Sequence, residues 1–121
     1  MRIEKRTSLR LPLSIHVAYW VHQQERQEVY QVESVNIGAG GIFIRTELPL
    51  GIGTEVHLEF TLPGSREPIR IQGKVVWSGG ISTKGADKIQ GKGIEFTACD
   101  DRIRKQLLDY IEANKTDIET E

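Results

Sequence analysis

From Leu13 the apolar residues fall on alternate positions, Leu13, Ile15, Val17, Tyr19 and Val21, with Ser14, His16 and His22 on the other face. A period of two over this length predicts a half-buried strand. The polar run from Gln23 to Glu28 reads as a hairpin connection. Residues 29–37 follow as a second strand whose alternation slips around Tyr30, Val32 and Val35, the slip that a bulge produces. Gly38, Gly40 and Gly41 predict a turn open to positive φ, and Ile42 to Thr46 a short third strand ended by Pro49, Gly51 and Gly53. Val56, Leu58, Phe60 and Leu62 point inward from a fourth strand that carries His57 and Glu59 outward. Ile69, Ile71, Gly73, Val75 and Trp77 form a fifth, and residues 93–98 a sixth. The Gly-, Ser- and Lys-rich stretch from Ser78 to Gly91 reads as a long mobile loop.

The period changes at the tail. Ile103, Leu107, Tyr110 and Ile111 share one face of a helix that starts near Asp100 or Asp101, either of which can cap its first amides. Beyond Lys115 too little apolar surface remains to dock, and the end is expected to fray. Six antiparallel strands at short spacing with one terminal helix predict an all-β fold, a six-stranded antiparallel β-barrel with a C-terminal α-helix, since closure removes exposed edges. The division is residues 1–12 as an arm, 13–99 as the barrel, 100–114 as the helix and 115–121 as the tail. A barrel this small is filled by its own side chains, which sends any ligand to the outer wall or rim.

With 121 residues the chain accommodates one domain with a real core. Sixteen basic and seventeen acidic residues leave a formal charge of -1, so no whole-molecule field draws it to DNA, RNA or anionic lipid. An anionic ligand must be met by a local cluster. The lone cysteine, Cys99, and the lack of an export signal or of a roughly 20-residue apolar run predict a soluble cytoplasmic protein with no membrane insertion.

Two fragments stand out chemically, Arg6-Thr7-Ser8-Leu9-Arg10 and Asn36-Ile37-Gly38-Ala39-Gly40-Gly41. Arginines four apart in an extended arm lie about 13 Å apart on one side. Each guanidinium fork can grip guanine O6 and N7, while an Asn side chain and bare backbone close on base and phosphate edges. Either fragment alone reads as ordinary: arginines on a solvated terminus, glycines in a tight hairpin. Their joint occurrence points to a nucleotide site.

The arm, the turn and the strand order resemble the PilZ domain family, whose motif pair is Arg-x-x-x-Arg and (Asp/Asn)-x-Ser-x-x-Gly. Arg6 and Arg10 match the first motif; Asn36 and Gly41 match the ends of the second. Gly73-Lys74-Val75-Val76-Trp77 and Gly93-Ile94-Glu95-Phe96 look like the family's last two strands. The resemblance implies a bacterial receptor for the second messenger cyclic di-GMP, without other cofactor, that signals through arm ordering to a downstream protein partner. Arg6, Arg10, Asn36, Gly38 and Gly41 would hold the ligand, with Trp77 as a stacking platform.

One departure concerns Gly38, which stands where the motif has Ser. The lost hydroxyl contact is worth roughly 0.5–1.5 kcal/mol, against roughly 1–3 kcal/mol for each bidentate Arg–guanine pair, so the substitution weakens binding without abolishing it. A ligand-independent adaptor that acts only through a protein partner is the alternative. His16, His22 and His57 are widely spaced in sequence and predict no metal site. No catalytic grouping or phosphate loop argues for an enzyme, and the charge balance argues against a nucleic-acid polymer as partner.

Overall fold

The computed structural model describes residues 10–22, 28–81 and 88–114. Arg6, most of the first hairpin connection and the tail from Lys115 lie outside them. Among the described residues seven strands and a helix follow in order: β1 (Leu11–Pro12), β2 (His16–Val21), β3 (Tyr30–Ile37), β4 (Gly41–Arg45), β5 (Glu55–Phe60), β6 (Ile69–Ile81), β7 (Ile89–Ala98) and α1 (Asp101–Asn114). Antiparallel pairing runs β3-β2-β5-β6-β7-β4, and a β3–β4 seam returns it to the start, so six strands close into a barrel. Closure leaves no long unpaired edge.

The alternating residues read from the sequence are the interior. Val17 and Tyr19 of β2, Val56 and Leu58 of β5, Val75 of β6 and Ile42 and Ile44 of β4 are all at zero exposure. Leu107 and Ile111 of α1 join the same core cluster. The helix begins at an Asp cap, the Ile103 amide donating to Asp100 Oδ1 at 2.9 Å. Among the described residues no helix is long and apolar enough to cross a membrane.

The slip in the second strand is a bulge, with the β3–β4 register shifting between Ser34 and Asn36. The strand read from Leu13 begins at His16, and the end of the arm forms a short strand before it: β1 and β2 lie end to end along the same edge of β3, pairing Leu11 with Ile37 and His16 with Glu33. Ser34, 2% exposed, plugs the gap. Its hydroxyl donates to the Leu13 carbonyl and accepts from the Ile15 amide at 3.1 Å, replacing the ladder bonds that the break removes. The extended chain immediately after the arm is thereby fixed to the barrel wall.

Two expectations need correction. The two ends of the stretch from Ser78 to Gly91 are strand: β6 continues to Ile81, β7 starts at Ile89, and the pair stays in register from Trp77↔Gly93 to Ile81↔Ile89, while residues 82–87 lie outside the described residues. Gly79 adopts the left-handed region at φ 147° there, which is why this hairpin arm carries glycine without ceasing to pair. Gly40 and Gly41, in contrast, do not have positive φ. What Gly41 supplies is close approach, because a Cβ there would collide with the Ile94 carbonyl oxygen of β7.

Candidate functional site

The described end of the arm, Arg10 to Pro12, meets the glycine turn at the barrel's outer wall. β1 pairs Leu11 with Ile37 and Pro12 with Asn36, which delivers the preceding residue, Arg10, to the turn between β3 and β4. Arg10 Nη1 donates to the Gly41 carbonyl at 2.9 Å, and among the described residues the guanidinium has no acidic partner. Partial dehydration against the turn lowers its pKa from the ordinary arginine value. The turn itself is built from its own backbone: the Gly38 amide donates to the Gly41 carbonyl at 2.8 Å, and the Phe96 amide of β7 donates to the Gly40 carbonyl at 2.8 Å.

Arg10, Gly38, Gly40 and Gly41 line one side of an open cavity of about 460 Å³, whose other side is Val76, Ile94 and Glu95. That volume is in the range that takes a small-molecule ligand, roughly 300–1,000 Å³. Val76 is the extra residue of a β6–β7 bulge, between the pairs Val75↔Ile94 and Trp77↔Gly93, and the bulge leaves its side chain 45% exposed.

Asn36 sits at the root of the turn, paired to Pro12 on one side and Phe43 on the other. Its Oδ1 is buried with no hydrogen-bond partner, an acceptor that a folded chain rarely leaves unsatisfied. Trp77 does not line the cavity. It packs across Gly93 onto Phe43, ring centroids 5.7 Å apart, on the outer face of β6, β7 and β4. That is the face of Gly41 and Glu95 too, which stand one pleat along their strands, about 7 Å away. Arg6 lies outside the described residues.

Sequence reasoning missed Val76 and Glu95, since a valine in an apolar run and an acid on a final strand carry no local mark of a cavity. It also missed that His22 and His57, 35 residues apart, meet. His22 Nδ1 and His57 Nε2 are 2.8 Å apart on the outer face of β2 and β5, with Trp20 stacked on His57 at 5.4 Å. No group of three metal-ligating side chains occurs among the described residues. Cys99 has its thiol pKa raised, by burial first; Arg104 opposes the rise, and the neighbouring Asp100 and Asp101 add to it.

The described residues thus form a closed antiparallel barrel with Arg10 held against a bare-backbone turn beside an open cavity. The chain belongs to the PilZ domain family, whose model matches residues 4–113; domains of this family are regulatory binding domains rather than enzymes. No curated protein matches the chain. Among solved structures it is similar to the Bacillus subtilis inhibitor of motility MotI/DgrA, at TM-score 0.71 and 21% identity over 90% of this chain and 50% of that one. The chain thus spans half the length of that protein. It is also similar to the PilZ domain of CeSA from a cellulose-synthesizing bacterium, at TM-score 0.62 and 16% identity over 89% of this chain and 99% of that one. The PilZ domain of Escherichia coli YcgR, solved with cyclic di-GMP, matches at TM-score 0.62 and 12% identity over 93% and 92%.

Proposed function

We propose that the chain is a cyclic di-GMP receptor whose site is the cavity between the arm and the glycine turn. The observation that carries this reading is the 2.9 Å bond from Arg10 to Gly41, which places a residue of each motif on one cavity. Arg10 spends one N–H on the turn and keeps the others for guanine O6 and N7 or for phosphate. Arg6, four residues upstream in the sequence and the motif's other arginine, would bring a second guanidinium to the ligand. Gly38 and Gly41 let the ligand approach the backbone, and the orphaned Asn36 oxygen is an acceptor at the turn's root. Trp77 offers an exposed ring on the same face for stacking.

The missing hydroxyl at Gly38 does not leave the turn without support, because the amides of Gly38 and Phe96 already hold it. Binding would fasten the arm against the wall that Ser34 anchors and so present or cover a surface for a protein partner, an order–disorder switch. Calorimetric titration of cyclic di-GMP into the chain at low salt tests the reading. Micromolar binding is expected, with Arg10→Ala and Arg6→Ala each losing about tenfold or more. A wild-type protein that takes up no ligand at tens of micromolar contradicts it, and a partner interaction unaffected by the ligand would then favour the adaptor reading.

A further inference from the structure

The cavity for an anionic ligand contains a carboxylate. Glu95 is the acidic residue of its lining, directly across from Gly41 on β4 and from Lys74 on β6. Among the described residues its carboxylate forms no hydrogen bond and no ion pair, although Arg10 lines the same cavity and Lys74 faces it across the strand pair. Arg10 turns to the Gly41 carbonyl instead. The site therefore presents, unpaired with each other, a cluster of N–H donors and an acceptor-only group.

A carboxylate near a phosphate is repulsive, so the position is compatible with a cyclic dinucleotide only where the ligand carries donors. Guanine carries them on one edge: N1–H and the N2 amino group lie side by side, matching the two oxygens of a carboxylate, while O6 and N7 on the adjoining edge accept from arginine. Adenine presents no such adjacent pair. We propose that Glu95 reads the Watson–Crick edge of a bound guanine and is the residue by which this site selects guanine. This rests on the reading of the cavity as a cyclic di-GMP site and assigns a specificity role to a residue outside both sequence motifs. Asn36, at the root of the turn, is not among the residues that line the cavity, whereas Glu95 is.

The test is a titration of cyclic di-GMP and cyclic di-IMP, which keeps N1–H and O6 but lacks the N2 amine, into wild type, Glu95→Gln and Glu95→Ala. Gln is isosteric and Glu95 is exposed, so folding is retained, as a thermal melt will show. Wild type is expected to prefer cyclic di-GMP by about tenfold, the worth of a hydrogen bond to a charged group. Both variants should bind cyclic di-GMP about tenfold or more weakly and distinguish the two ligands little. Unchanged or tighter binding of cyclic di-GMP by Glu95→Gln, or equal losses for both ligands, overturns the assignment while leaving the receptor reading intact. Wild type that binds neither ligand removes the receptor reading, and the assignment with it.

Discussion

At the scale of single residues, Gly38 is the informative one. It is buried, lines the cavity and gives its amide to Gly41, so the turn closes on backbone alone where the family motif adds a hydroxyl. Restoring that group by Gly38→Ser is expected to tighten cyclic di-GMP about two- to tenfold, the span of one neutral hydrogen bond, in the same calorimetric titration. No gain would mean that the hydroxyl finds no acceptor on the ligand. Arg10 and the glycines that line the cavity were legible in the sequence because they are spaced by a motif. Glu95 and Val76 were not: they reach the cavity through the β4–β7 and β6–β7 registers and through a bulge, none of which a local pattern encodes. His22 and His57 escaped notice for the same reason, since they meet only once β2 is paired with β5.

At the scale of elements, period-two alternation identified the barrel strands, because one face of each is buried and a slip of one residue would expose its whole apolar set. Composition misled where glycine occurs inside a strand. Ser78, Gly79 and Gly80 resemble a loop, yet they continue β6, and the Trp77 ring lies alongside Gly79 in space that a larger residue would contest. The gap between β1 and β2 shows the reverse case, residues 13–15 read as strand that depend on a side chain for their bonds. Ser34→Ala leaves the Ile15 amide and Leu13 carbonyl without their partner and is expected to cost about 1–3 kcal/mol in denaturant unfolding. Amide exchange at Ile15 should accelerate as well. Because Arg10 lies just upstream of this anchor, ligand affinity should fall in the same variant. A stability loss with no change in affinity would separate the anchor from the site.

At the scale of the whole molecule, closure through the β3–β4 seam makes the interior one cooperative unit, and Tyr19 ties it to alkaline pH. The ring is fully buried and its hydroxyl shares a 2.9 Å hydrogen bond with Thr46 across the barrel. Burial raises the Tyr19 pKa, the Thr46 bond opposing it only in part. The folded state therefore holds the proton more tightly than the unfolded one. This contribution is fully present below the ordinary tyrosine pKa of about 10 and is lost as pH rises through the higher folded-state value. Unfolding followed against pH should show stability falling in that alkaline window, and Tyr19→Phe should flatten the fall while lowering stability at neutral pH by about 1 kcal/mol. An equally steep alkaline fall in Tyr19→Phe would place the responsible group elsewhere. The chain's two tryptophans occupy different walls of this unit, Trp20 stacked against an imidazole on β2 and β5, and Trp77 half in water one pleat from the cavity. The barrel in effect carries a built-in optical probe: emission from Trp77 is positioned to register occupancy without any attached dye, with Trp20 as an internal standard on the far wall.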